Sequence, residues 1–174
     1  MGYSARKVYE FGWGGDSPTR GDGAGAPVSL AGLFQFAANG FIVGARYYRD
    51  LADDFNHIAY VLDPASGDVL STLHFPRKPN TGSGPDGWQH AYFRKRIPVS
   101  EFDIRSMVVW FGGGYFYVDD GDLVDHGYVS GNVETLQTGL PYDNMQYTYN
   151  HDPVGFSTFN GARYGVDVIF WAHG

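Results

Sequence analysis

An acidic stretch in the second half of the chain, residues 119–126, is the strongest candidate for chemistry. It contains four closely spaced carboxylates, Asp119, Asp120, Asp122 and Asp125. Carboxylates that share one hard cation lose their mutual repulsion, so this stretch predicts a calcium site. Its spacing differs from that of an EF-hand loop, which ends in a bidentate glutamate. A solvated loop without metal is the alternative, and no other cofactor is expected.

The six histidines form no recognisable catalytic motif. No two of them have the i, i+4 spacing of a zinc protease, and no serine lies in a G-x-S-x-G sequence. A glycosidase would need a pair of carboxylates at a separation that sequence does not define. We therefore expect that the protein is not an enzyme.

Aromatic residues make up 17% of the sequence and provide the candidates for binding. A tyrosine ring can stack on a sugar or anchor a protein interface, although aromatic residues also fill the cores of β domains. The candidates are Tyr9, Phe11 and Trp13 near the N-terminus, and Tyr115, Tyr117, Tyr142 and Tyr147 in the second half.

Short alternating segments must position these residues. Residues 164–171 place Asp167 and Ile169 on one face of a strand and a set of large side chains on the other, namely Tyr164, Val166, Val168 and Phe170. About nine such segments are separated by Gly, Pro, Asn and Asp. This pattern predicts an all-β protein, an antiparallel β-sandwich of the jelly-roll or immunoglobulin-like type.

Two turns are predicted from their residue types. Asn39 and Gly40 separate residues 33–36 from residues 41–48, which favours a hairpin with a two-residue turn. Residues 63–67, D-P-A-S-G, separate residues 58–62 from residues 69–75, and their proline and glycine favour a tight reversal.

The N-terminal residues 1–27 differ from the rest in composition. Residues 12–27 are rich in glycine and poor in apolar side chains, so they predict an extended arm ahead of a β-sandwich domain at residues 28–174. The aromatic residues before this stretch either fold back as an edge strand or dock on a neighbouring subunit. Both interpretations are open at this point.

Charge and composition exclude several classes of function. The 12 basic and 19 acidic residues give a net charge of −7, and the basic residues are scattered except for Arg94, Lys95 and Arg96, which argues against nucleic acid. There is no cysteine, so disulfides play no part. No run of about 18 apolar residues and no signal peptide is found, so we expect a complete protein made in a cytoplasm, without a membrane span.

Four segments in order resemble a known family. Residues 41–48, F-I-V-G-A-R-Y-Y, are similar to its segment V-T-G-I-R-F-Y-K, and residues 58–75 to its hairpin L-W-S-x-x-G-x-L-L-A-T-A-T-F. Residues 87–99 resemble G-W-Q-x-V-x-F-x-x-P-V, and residues 156–170 resemble P-x-x-x-F-N-x-x-x-Y-x-V-D-V-x-F. The family is a β-sandwich domain of unknown function, found in bacterial extracellular proteins beside carbohydrate-binding or fibronectin-like modules. The resemblance covers about residues 28–170 and implies no catalytic residues.

Two functional hypotheses follow from these features. The first is a non-catalytic virion protein, a bacteriophage minor tail or decoration protein made in the host cytoplasm. It would form a homo-oligomer, dock on other virion or assembly proteins through its N-terminal arm and contact the host surface. The second is a free carbohydrate-binding module or adhesin subunit that is extracellular or at the cell surface and binds a surface glycan.

Overall fold

The computed structural model of this chain describes residues 9–13, 20–23, 25–49, 53, 55–76, 87–119, 127–136, 144–158 and 162–173. These residues form β-strands and no helix, and none of their segments is a helix able to cross a membrane. The strands are β1 (Glu10–Phe11), β2 (Arg20–Gly23), β3 (Val28–Phe36), β4 (Gly40–Arg49), β5 (His57–Leu62), β6 (Val69–His74), β7 (Gly87–Val99), β8 (Ile104–Phe111), β9 (Tyr115–Asp119), β10 (Tyr128–Ser130), β11 (Val133–Thr135), β12 (Gln146–Thr148), β13 (Ser157–Thr158), β14 (Arg163–Tyr164) and β15 (Val166–Ala172).

The described strands belong to three antiparallel sheets. A four-stranded sheet has the order β1, β15, β4, β7. A larger sheet has the order β10, β11, β3, β8, β5, β6, with β12 and β13 beside β3, and a small sheet has the order β14, β9, β2. Because every pairing is antiparallel, short turns can join neighbouring strands.

The core lies between the four-stranded and the larger sheet. Phe36 of β3 and Phe170 of β15 are fully buried, with ring centroids 4.9 Å apart, and Tyr47 of β4 meets the rings of Phe75 and Phe111. Large rings that alternate along facing strands fill such an interface efficiently. The predicted packing of antiparallel sheets in an all-β protein is confirmed.

Only one of the two predicted turns forms a hairpin. Residues 63–67 connect β5 to β6, which pair as predicted; Gly67 has a φ of 78°, and Asp63 Oδ1 accepts a hydrogen bond from the backbone N–H of Ala65. The hairpin predicted around Asn39 and Gly40 is wrong. β3 lies in the larger sheet and β4 in the four-stranded one, so these residues cross between the sheets.

The described N-terminal residues are part of the sandwich. β1 pairs with β15 at the edge of the four-stranded sheet, and β2 pairs with β9. Of the two interpretations of the N-terminal aromatic residues, the structure therefore shows the first, an edge strand. Residues 9–13 are fixed to the domain that the sequence places after them.

Candidate functional site

The last strand, β15, alternates as predicted from Val166 to Phe170, but both of its faces are covered, and Tyr164, which was expected on the same strand, lies in β14 of the small sheet. Val166, Val168 and Phe170 face the core, and Asp167 and Ile169 on the opposite face are also fully buried. A carboxylate buried on the outer face of a sheet requires partners there, because an unpaired buried charge is very costly.

Trp13 lies beside Asp167 and supplies two hydrogen bonds to this strand. Its indole Nε1 donates a hydrogen bond to the backbone oxygen of Val166 over 2.9 Å, and its backbone N–H donates to Asp167 Oδ2 over 3.2 Å. Only 1% of the Trp13 surface is exposed. Trp13 was predicted to bind a partner, but it has no surface to offer one, because it ties the N-terminal segment to its own sheet.

Arg46 of β4 completes the partners of Asp167. Its Nε and Nη2 each donate to Asp167 Oδ2 over 2.6 Å, and its guanidinium lies 4.1 Å from the ring centroids of both Phe11 and Trp88. Burial raises the pKa of Asp167, and the guanidinium of Arg46 opposes this rise. Because both side chains are inaccessible, this ion pair holds β1, β4 and β15 together and is not a ligand site.

Farther along the same sheet, the pairing of β4 with β7 contains a large bulge. Gly44 pairs with Tyr92 and Ile42 pairs with Ile97, so four residues of β7, 93–96, lie opposite the single residue Val43. The alternation of buried and exposed side chains is interrupted there, since residues 94–96 are all exposed. Bulges redirect side chains, and this one exposes the three consecutive basic residues Arg94, Lys95 and Arg96 to solvent.

Gly44 allows the two strands to approach beside the bulge. A Cβ atom at this position would lie 2.3 Å from the backbone oxygen of Ala91. The pairing of β4 with β15 also shifts at Val43, between Ile169 and Phe170. Both shifts occur at the sequence Val43-Gly44, so β4 has a defined irregularity on each of its edges.

The bulge opens a groove on the outer face of the sheet. Its volume is about 310 Å³, at the lower end of the range for small-molecule sites. We call it the bulge groove; it is lined by Tyr9, Val43, Tyr92, Phe93, Arg94, Arg96 and Trp171.

Exposed aromatic rings border the bulge groove. The ring centroids of Tyr9 and Tyr92 are 5.9 Å apart, and these side chains are 40% and 50% exposed. Burial and the neighbouring Tyr9 raise the pKa of Tyr92, so its phenol stays protonated at neutral pH and can donate a hydrogen bond. Large rings with a polar end are typical of binding surfaces.

The bulge groove is cationic in an acidic protein. Arg94 and Arg96 line it, and its described lining contains no carboxylate and no histidine. Within the described residues neither arginine forms a salt bridge.

A second hollow lies on the other side of the basic run. It has a volume of about 290 Å³ and shares Arg96 with the bulge groove. Lys95 and Arg105 also line it, together with Leu70, Ser71, Ile97 and Pro98. The basic run therefore contributes cations to two adjoining hollows.

Three other predicted binding residues, Phe11, Tyr117 and Tyr147, do not line this groove. Phe11 is half-buried beneath Arg46. Tyr117 is half-buried, with its ring 4.8 Å from that of Tyr48, and Tyr147 lies beside Tyr149. Tyr115 and Asp119 are the end residues of β9. Outside the described residues lie Tyr142, Asp120, Asp122 and Asp125.

The predicted calcium site stays a prediction, because most of its residues are outside the described ranges. Among the described residues, no group of three or more histidine or acidic side chains is placed to hold a metal ion.

His57 is the histidine with the most suggestive surroundings, but it is inaccessible. Its Nδ1 lies 3.0 Å from the backbone oxygen of Trp110, and its Nε2 lies 2.5 Å from Asp53 Oδ2. Since a carbonyl oxygen only accepts, Nδ1 is the donor of the hydrogen bond to Trp110. Both side chains are at most 2% exposed, so this pair fixes the start of β5 and meets no substrate.

Four residues of the bulge groove were missed by the sequence reasoning: Tyr92, Arg94, Arg96 and Trp171. The available signal was the run Arg94-Lys95-Arg96. Successive side chains of a regular strand point to opposite faces, so three consecutive charged residues can all be exposed only where a bulge interrupts the alternation. Of the predicted residues, Tyr9 lies at the groove.

No protein-family model matches this chain, and no curated protein matches it significantly. The resemblance to the bacterial extracellular β-sandwich domain accordingly stays a prediction. The candidate site rests on the geometry of the bulge groove.

Proposed function

We propose that this β-sandwich is a non-catalytic carbohydrate-binding domain whose site is the bulge groove. The observation that carries the proposal is the pair of exposed rings, Tyr9 and Tyr92, beside two arginines in an open groove. Apolar ring faces suit the C–H faces of a sugar, and arginine N–H groups suit its oxygens. Such a domain would act outside the cell or at a cell surface.

The sheet gives this groove a firm base. Val43 and Phe93 lie beneath it and are each 6% exposed. Trp171 forms one wall, and its ring lies 5.7 Å from that of Phe41 and 6.1 Å from that of His173. Walls that are already ordered lose little entropy when a ligand binds, which favours recognition of a small sugar unit.

Replacing Tyr92 with leucine is expected to weaken glycan binding about tenfold or more, since a central aromatic contact contributes 1–3 kcal/mol. Binding is measured first on a glycan array and then by calorimetry with the best oligosaccharide. Tyr149→Leu is the matched control, because Tyr149 is 59% exposed and is not part of the groove lining. A wild-type protein that binds no glycan on the array would refute the proposal, as would equal losses in the two variants.

A role in an assembly is a second candidate function, and it is favoured by the conformation and exposure of Phe102. Its φ is 69°, a left-handed conformation that is costly for a phenylalanine, and its side chain is 68% exposed. The turn is held by hydrogen bonds, including one from the backbone N–H of Phe102 to the oxygen of Phe36. An exposed ring on a rigid turn suits contact with a neighbouring subunit, as in a virion protein.

Deleting residues 1–27 would not test this assembly role, because the deletion removes Trp13 from the core. The Phe102→Gly variant does test it. Glycine adopts a positive φ without strain, so the fold is expected to keep its stability or gain about 1 kcal/mol. If Phe102 anchors a subunit contact, sedimentation will show an oligomer for the wild type and a monomer for the variant. A monomeric wild type at high concentration, or an unchanged oligomer in the variant, would exclude this role for Phe102. Val154→Ser is the control, since Val154 is 58% exposed.

A further inference from the structure

We propose that the bulge groove selects anionic sugars, so that Arg94 and Arg96 bind the carboxylate or sulfate group of an acidic glycan. This inference rests on the proposed carbohydrate-binding function and names its substrate class. It follows from the position of these arginines at the bulge, from the lack of a described carboxylate paired with them, and from the restricted side chain of Arg96.

No carboxylate pairs with the basic run within the described part of the chain. Arg94, Lys95 and Arg96 are exposed, and none of them forms a salt bridge with a described carboxylate. The whole chain carries a net charge of −7, so three adjacent cations without a neighbouring acid are a local exception. Charged groups at the centre of an interface serve as complements to a ligand of opposite charge.

Arg96 is held in place before any ligand arrives. Its guanidinium carbon lies 4.7 Å from the ring centroid of Trp171, and Trp171 in turn contacts Phe41 and His173. Restriction of a long side chain in the free protein lowers the entropy cost of binding. The planar fork of arginine matches the two oxygens of a carboxylate or sulfate group, so a sugar stacked near Tyr92 can present such a group to it.

The second hollow extends this selectivity along a glycan chain. Arg96 borders both hollows, and Lys95 lines the second one together with Arg105, whose Nη2 lies 3.0 Å from Asp103 Oδ2. An oligosaccharide with an acidic group on successive sugars can therefore contact cations on both sides of the bulge. Nucleic acid is disfavoured, because its affinity depends on many phosphate contacts and a net charge of −7 repels a long polyanion.

The test is calorimetry with acidic oligosaccharides, each paired with a neutral counterpart. The probes are oligogalacturonate with its methyl ester, sialyllactose with lactose, a chondroitin sulfate tetrasaccharide with its desulfated form, and an oligothymidylate. We expect at least one acidic glycan to bind about tenfold or more tightly than its neutral partner, since hydrogen bonds to charged groups are stronger than those between neutral groups. The carboxylated and sulfated probes distinguish the two sources of the anionic group.

Each remaining outcome is decisive. Equal binding of the acidic and neutral partners overturns the inference and leaves the carbohydrate-binding proposal intact. No binding by any glycan overturns both, and tighter binding of oligothymidylate than of every glycan overturns both in favour of nucleic acid.

Variants locate the effect at the groove. Arg94→Gln and Arg96→Gln are each expected to weaken binding of the acidic glycan about tenfold while leaving the neutral partner within about twofold. Lys95→Gln removes the same charge, but Lys95 lines only the second hollow, so its binding of sialyllactose, which carries a single acidic group, is expected to stay within about twofold of the wild type while binding of longer acidic glycans weakens. Equal losses in all three variants would indicate a general effect of charge and would overturn the assignment.

Discussion

The Asp167→Asn variant is expected to lose about 3–5 kcal/mol of unfolding free energy, because it removes the carboxylate that pairs with the buried guanidinium of Arg46. Asparagine has the shape of aspartate, so packing is conserved and the charge is what changes. The Arg46 side chain is 7% exposed, and a guanidinium does not give up its proton. The loss is measured by urea denaturation followed through tryptophan fluorescence.

The Arg46→Met variant is expected to be destabilised in a manner that depends on pH. Burial already raises the pKa of Asp167, and removing the guanidinium removes the main opposing influence, so the folded-state pKa rises further. The folded state then binds the proton more tightly than the unfolded state. Stability is therefore higher below the folded-state pKa and decreases as the pH rises through it.

Comparison of the two variants isolates this effect. The stability of Arg46→Met minus that of Asp167→Asn is expected to increase as the pH falls through the raised folded-state pKa of Asp167, because only the first variant retains a carboxyl group that can be neutralised. Asp152→Asn is the control for removing an exposed carboxyl group and is expected to change stability by less than about 0.5 kcal/mol. Wild-type stability in Asp167→Asn would show that the ion pair does not hold the N-terminal segment.

Local features of the fold could be predicted from the sequence. The turn at residues 63–67 depends on a proline, a glycine and an aspartate within five residues, and it forms as expected. The two faces of β15 also follow directly from the alternation of its residues. Such features are decided by neighbours in the chain, which a sequence displays.

Features that depend on distant residues could not be predicted. The hairpin expected at Asn39 and Gly40 failed because β4 pairs with β7 and β15, and no local signal distinguishes a hairpin from a crossing between sheets. The partner of Asp167 is 121 residues away. Several additional strands have only two to four residues, such as Glu10–Phe11 and Arg20–Gly23, and are too short to show alternation.

Part of the candidate site could be predicted from the sequence. Aromatic residues near the N-terminus were expected to bind, and Tyr9 lies at the groove while Trp13 is in the core. The basic run was recognised only as an exception to scattered charge. Its function depends on the register of β4 against β7, which brings Val43 opposite residues 93–96 and which composition alone does not reveal.

The Asn144→Leu variant is expected to lose about 4 kcal/mol or more of unfolding free energy, because the Asn144 side chain takes the place of a missing strand partner in the larger sheet. β11 pairs with residues 34–36 of β3 and β12 with residues 29–31, so a gap remains along this edge at Gly32 and Leu33. Asn144 fills it: its Oδ1 accepts from the backbone N–H of Leu33 over 2.7 Å, and its Nδ2 donates to the backbone oxygens of Leu33 and Leu136. Asn144 is fully buried, and each buried group left without a partner costs about 1–3 kcal/mol.

Amide hydrogen exchange distinguishes this bridging role from simple packing. Leucine fills a similar volume, but it cannot accept a hydrogen bond, so the amide of Leu33 is expected to lose its protection in Asn144→Leu while amides at the centre of β8 change much less. Asn150→Leu is the matched control, because Asn150 is exposed and its Nδ2 donates one hydrogen bond, to Val154; its loss should not exceed about 1 kcal/mol. If Leu33 stayed protected in Asn144→Leu, or if both variants lost equal stability, the gap would have to be closed by packing alone. A fully buried amide that pairs with both backbone groups of one strand residue argues against that outcome, because it occupies the place of a β-strand partner.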